Sequence, residues 1–151
     1  MLDHSKVRAP YVRLAGRYQG AKGDEVRKFD LRLTQPNQAA LPTDAIHTME
    51  HLLAGYIRET LSADAQVIDA SPMGCRTGFY LTVLGEASED AVLQAFREAL
   101  EAIASYNGAV PGDGELECGN YRDHSLSGAR QWAQQALDAG IVIQDTITLD
   151  T

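Results

Sequence analysis

Cysteine is scarce in this chain. Its 151 residues include two, Cys75 and Cys118. Two cysteines do not make a disulfide framework. The absence of CxxC argues against a thioredoxin-like redox protein. No apolar run approaches the roughly 18 residues that span a membrane. The start, "MLDHSKVRAP", lacks the apolar core of a secretion signal. Basic residues are outnumbered, 13 against 21 acidic, for a formal charge of -8. That balance disfavours a nonspecific nucleic-acid surface. Repeats, low-complexity tracts and linkers are also missing. The expectation is a cytoplasmic protein with no nucleic-acid or membrane partner, in which both thiols stay reduced and free for metal binding or chemistry.

What is present is ordinary for a globular chain: 44% hydrophobic and 23% charged residues. The length suits one domain, residues 1–151, with a sizeable core. "KFDLRL" alternates, with Phe29, Leu31 and Leu33 on one face and Asp30 and Arg32 on the other, as in a strand. "QPNQAALPTD" is a loop rich in turn formers. A first helix should begin at Thr43, whose hydroxyl can cap early amides, and end near Leu61. Gly55 weakens it locally and suits a close crossing. "AQVIDAS" and "RTGFYLTVLG" read as strands around the turn "PMGC". A second helix fits Ser88–Tyr106, a third Ser127–Leu137 with Gly140 at its stop. "IVIQDTITL" closes as a strand. This order predicts an α+β fold, helices against a mostly antiparallel sheet.

The chemistry concentrates in "HTMEH". His47 and His51 stand four apart, so on a helix they share a face one turn apart. Both imidazoles can reach one ion, and Glu50 lies beside them. A divalent site with an open position usually has three protein ligands. Cys118, in "ECGNYRDH", is the preferred third, and its thiolate favours Zn, Fe or Co over Mg or Ca. Gly119 beside it suits a close backbone approach. His124 competes for the position; His4 is less convenient. The plainer reading of a single such histidine is a surface or core residue.

"SPMGCRTG" is a tight loop that can hold the Cys75 sulfur at a cleft edge, with Arg76 supporting its thiolate. A small buried cysteine beside a turn is the alternative. Arg32 and Asp69 are candidates for binding a polar substrate; a surface arginine and a turn-capping aspartate are the plainer alternatives. A metal with Glu50 and Cys75 nearby can hydrolyse an amide through metal-bound water, or move protons on carbons beside a carbonyl. A reactive thiol is superfluous for hydrolysis, which favours proton movement.

The segments "LDH…APYVRL", "FDLRL", "HTMEHLLAGYIR", "IDASPMGCRTGFY" and "ECGNYRDH" together resemble S-ribosylhomocysteine lyase, the LuxS family. "HTMEH" alone is less specific, because inverted zinc peptidases also use HxxEH. The resemblance implies an α+β fold whose metal helix is related to the inverted zincins. It implies a homodimer with active sites at the subunit interface and a small-molecule substrate. It implies one divalent metal per subunit, ferrous iron expected and zinc or cobalt possible, on His47, His51 and Cys118. Glu50 and Cys75 match the general acid/base residues; His4, Arg32 and Asp69 match positions lining the substrate cavity. The implied reaction moves the carbonyl of S-ribosylhomocysteine along the sugar. β-Elimination then gives homocysteine and 4,5-dihydroxy-2,3-pentanedione, the precursor of autoinducer-2. The family usually carries a serine-containing segment before "LDH"; this sequence starts at Met1, which implies a late start or a truncation.

Overall fold

The computed structural model describes residues 1–61, 63 and 65–149. Two strands open the fold, β1 (Tyr11–Gln19) and β2 (Glu25–Arg32), followed by helix α1 (Thr43–Leu61). Then come β3 (Ala65–Pro72), β4 (Gly78–Gly85), α2 (Glu89–Ser105), α3 (Leu126–Ala139) and the short β5 (Val142–Ile143). The strands form one sheet in the order β3-β4-β2-β1-β5. The long neighbours are antiparallel, and only β5 runs parallel to its neighbour β1. The expected α+β architecture is therefore present.

Alternation along β2 gives the sheet two different faces. Phe29 and Leu31 point into the helical layer, where they join Val12, Phe79, Leu81, Met49, Leu53 and Phe96 in one buried cluster. Each such large side chain contributes about 1.5–3 kcal/mol on burial. Asp30 and Arg32 lie on the opposite face, beside Tyr11 and Arg13 of β1, whose register pairs Tyr11 with Arg32 and Arg13 with Asp30. This second face is polar yet buried: Arg32 is 1% exposed and Asp30 0%. Arg32 is thus no surface arginine.

The helices match their periodicity closely. Ser88 and Tyr106 are the caps of α2, Ser88 accepting a hydrogen bond from the Ala91 amide. Ser125 caps α3 in the same way through the Gly128 amide, and Gly140 ends it. Thr43 opens α1 as expected, but its hydroxyl donates to Asp123 Oδ1 at 3.2 Å. Gly55 makes no close crossing, since an added Cβ there meets nothing within 4 Å. The strand beginning expected at Arg76 is delayed to Gly78, because Arg76 has φ 57° and belongs to the turn.

Two strand expectations need correction. β1 was not foreseen at all. The closing strand shrinks to two residues, after which Thr148 makes only an isolated bridge to Leu2.

Gly78 is the point where the sheet leaves no room for a side chain. A Cβ there would lie 2.2 Å from the Leu31 carbonyl oxygen and 2.9 Å from Arg32 Cα. Both are backbone atoms and cannot rotate away. Gly78→Ala is expected to destabilise the fold by about 2–3 kcal/mol. Urea unfolding checks this, and an unchanged midpoint would show that β2 and β4 can separate at no cost.

Candidate metal centre

α1 carries His47 and His51 on one face, and the irregular segment between α2 and α3 crosses that face. His47 Nδ1 lies 2.8 Å from the Asp123 carbonyl oxygen, and His51 Nδ1 lies 2.8 Å from that of Pro111. A carbonyl oxygen only accepts. Both Nδ1 atoms therefore carry the proton, and both Nε2 lone pairs are free to ligate. They face each other at 3.2 Å. Cys118 Sγ stands 3.3 Å from His47 Nε2 and 3.8 Å from His51 Nε2. His124 completes the group, its Nε2 3.6 Å from the same sulfur and its ring stacked on His47 at 4.0 Å.

The donor spacing fits a cation. Bonds of about 2.3 Å to sulfur and about 2.0–2.1 Å to nitrogen give tetrahedral edges of about 3.6 Å for S···N and about 3.4 Å for N···N. The four donor atoms all lie within 4.8 Å of one another. They form a metal-binding cluster of mixed nitrogen and sulfur character, the kind that selects transition metals over Mg or Ca. Glu50 Oε2 is 3.9 Å from His51 Nε2, so its carboxylate borders the cluster. Burial, then the imidazoles of His47 and His51, hold His124 below its ordinary pKa. Gly119 plays no close-approach role, as nothing lies within 4 Å of an added Cβ. Cys118 is instead placed by its amide, which donates to Gly114 O at 2.9 Å.

A second group of functional side chains forms on the polar side of β2. Cys75, exposed and unpaired, lines a cavity of about 280 Å³ with His4, Arg32, Pro36, Asn37 and Thr77. His4 thus joins the Cys75 group, and neither His47, His51, Cys118 nor Glu50 lines this cavity. Asp69 also lies outside it, exposed on β3, where it accepts a hydrogen bond from Ser71 Oγ. Arg76, expected to support the Cys75 thiolate, donates to Leu41 O at 2.7 Å. The support comes from Arg32 and Thr77. Arg32 Nη1 donates to Thr77 Oγ1 at 2.7 Å, and Thr77 Oγ1 is 3.1 Å from Cys75 Sγ. Burial pushes the Cys75 thiol up, but hydrogen bonds from Thr77 and the charge of Arg32 outweigh it and leave the thiol below its ordinary pKa. Arg32 is itself anchored by Asp30, through Nε at 3.0 Å and Nη2 at 2.8 Å.

Sequence reasoning missed Thr77, Thr48, Asp123 and the Pro111 carbonyl. The anchoring role of Asp30 was missed too, although its place beside Arg32 on one face of "FDLRL" was a signal.

Fold and cluster together define an α+β protein with a histidine–cysteine metal centre borne on a helix. The S-Ribosylhomocysteinase (LuxS) family profile matches residues 1–147. The chain is 58% identical over 149 residues to an S-ribosylhomocysteine lyase of Thermus thermophilus, covering 99% of this chain and 94% of that protein. A Deinococcus radiodurans S-ribosylhomocysteine lyase is 56% identical over 149 residues, 99% of this chain and 92% of its own. One from Pediococcus pentosaceus is 52% identical over 142 residues, 93% and 88% respectively. The chain belongs to the S-ribosylhomocysteinase (LuxS) family.

The Cys75 environment makes a prediction about pH. The thiolate is the reactive form, so a lowered pKa raises its fraction at neutral pH. Thr77→Val removes a hydrogen bond that lowers the pKa. The variant's alkylation curve should shift to higher pH, and its rate at pH 7 should fall about threefold or more. Iodoacetamide labelling of the Cys75 peptide, followed by mass spectrometry, reads this; coincident curves would reject the role given to Thr77.

Proposed function

We propose that this chain is an S-ribosylhomocysteine lyase, releasing homocysteine and 4,5-dihydroxy-2,3-pentanedione, the precursor of autoinducer-2. The observation that carries the reading is the convergence of His47, His51 and Cys118, with Glu50 at its border, in a chain matched by the family over residues 1–147. A bound divalent cation, with ferrous iron expected and zinc or cobalt suited to the same donors, supplies Lewis-acid stabilisation of negative charge on substrate oxygens. His47, His51 and Cys118 hold it.

The remaining steps fall to side chains. Carbonyl migration needs a group that removes a proton from one carbon and returns it to the next. Cys75 suits this, since Thr77 and the charge of Arg32 lower its pKa and so favour the thiolate form at the edge of the cavity. Glu50 exchanges protons with the substrate oxygens as the carbonyl moves. Each migration oxidises one carbon and reduces its neighbour, so no external oxidant enters. In the last step Glu50 assists removal of the proton from the carbon beside the carbonyl, that electron pair forms a carbon–carbon double bond as the carbon–sulfur bond breaks, and the departing thiolate takes up a proton as homocysteine. His4, Arg32 and Asp69 are the proposed substrate-binding residues. Of these, His4 and Arg32 line the Cys75 cavity.

The reading carries a homodimer with the active site at the subunit interface. Its support is that the Cys75 cavity includes none of the metal-cluster residues, so each group of side chains lacks what the other has. One domain and a cytoplasmic location, where both free thiols stay reduced, complete the proposal. No helix among the described residues is long and apolar enough to cross a membrane.

Incubation with S-ribosylhomocysteine, followed by titration of released thiol, tests the activity. Cys75→Ala and Glu50→Gln should each keep metal and lose about 10²–10⁴-fold in rate. Undiminished turnover by either variant would remove that residue from the chemistry, and no thiol release by the metal-loaded parent would reject the lyase. Mixing Cys75→Ala with Cys118→Ala tests the shared site. Each mixed dimer regains one intact site, so a random mixture should recover about one quarter of parental activity. A mixture as inactive as its components would place both groups on one subunit.

A further inference from the structure

Four donor atoms surround the cluster centre, and their spacing alone does not say which three or four bind the ion. The hydrogen bonds behind the rings do. His47 and His51 each set Nδ1 against a backbone carbonyl, which forces the Nε2 lone pair inward. His124 is held differently. Its Nδ1 meets Thr48 Oγ1 at 2.9 Å. Thr48 is fully buried, and its hydroxyl also accepts the Ser125 amide at 2.9 Å. Among the described residues these are its two partners. A buried hydroxyl hydrogen without an acceptor is costly, so Thr48 donates to His124 Nδ1. A neutral imidazole that accepts at Nδ1 carries its proton on Nε2. That proton then points at Cys118 Sγ, 3.6 Å away.

From this we infer that His124 acts as a positioning residue, donating an Nε2–H···S hydrogen bond to the Cys118 thiolate. The inference rests on His47, His51 and Cys118 being the ligands. It assigns the three rings two different jobs that their similar distances conceal. A hydrogen bond to a ligand sulfur draws charge from it and tunes the centre. It also fixes the sulfur against the helix. A fourth protein ligand would close the sphere in the manner of a structural zinc site.

Cobalt loading of the full chain tests this without turnover. Parental protein should show a thiolate-to-cobalt charge-transfer band and, by X-ray absorption, two imidazoles per cobalt. His124→Leu should still bind one cobalt per chain, with affinity lowered about 10- to 100-fold and the band moved to longer wavelength. His124→Gln, which restores an N–H near the Nε2 position, should move it back. Thr48→Val should shift the band in the same direction as His124→Leu, and the Ser125 amide keeps a second acceptor in Asp44 O at 3.1 Å. Three imidazoles per cobalt in the parent, or a band that ignores His124 and Thr48, would overturn the inference. Failure of the underlying reading looks different: the charge-transfer band would be absent from the parent, or would survive Cys118→Ala.

Discussion

Two backbone carbonyls, those of Pro111 and Asp123, are the constraint on which the metal centre depends. They belong to a segment with almost no regular structure, and they are met by imidazoles from a stable helix. Each contact settles a tautomer and a ring orientation together. The same segment is tied to the start of α1 by Thr43 on Asp123 and by the Ser125 amide on Asp44 O. The loop that carries Cys118 is therefore located by the helix it serves. Its geometry survives without an extended ladder because side chains of α1 do what strand neighbours do elsewhere.

The Cys75 region solves a different problem with buried charge. Asp30 accepts hydrogen bonds from Tyr11, Arg13 and Arg32, all on one face of paired strands. Burial, then the Asp30 charge, pushes the Tyr11 hydroxyl up to about 12, so it remains a donor. Two guanidinium groups thus face one carboxylate. The surplus positive charge lies toward Cys75, with Arg32 Nη1 4.0 Å from its sulfur. A chain of formal charge -8 consequently holds a locally positive pocket. Breaking such a buried pair leaves an uncompensated charge, which costs far more than a surface ion pair contributes. Strand register and thiol reactivity are bound to the same atoms.

Much of this was legible in residue order, for identifiable reasons. α1 falls on Thr43–Leu61, as its apolar spacing required, and the i, i+4 histidines reported their shared face directly. β1 was hidden because "YVRLAGRYQ" does not keep one parity. A bulge between Leu14 and Gly16 reverses it, so no clean alternation exists to read. "IVIQDTITL" has strand composition, but it pairs with β1 only at Val142 and Ile143. Further on, Thr146 is used as a side chain, accepting from Arg13 Nη1 at 3.1 Å. Cys118 was a candidate by residue type and by the family resemblance, since no periodicity connects it to α1. The carbonyls of Pro111 and Asp123 had no signal at all, because any residue supplies one. The plainer alternative for Arg32, a surface arginine, stood open for a physical reason: alternation shows which face a residue takes, not whether that face is covered.

The two groups of side chains are incomplete in complementary ways. Around the metal cluster there are ligands and a carboxylate, Glu50, but no free thiol, because Cys118 is committed to the ion in the proposed reading. Around Cys75 there is a thiol held toward its anion, a cationic partner and a cavity, but among the described residues its lining holds none of the metal-cluster donors. Moving a carbonyl along a sugar needs both functions at adjacent atoms. Neither can be exchanged for the other: a sulfur bound to the ion is committed as a ligand and no longer carries protons. Within one chain Cys75 lies on the polar side of the sheet, in a cavity that none of His47, His51, Cys118 and Glu50 lines. A substrate lying between two such surfaces would reach both, and this is the physical argument for building the site from two subunits.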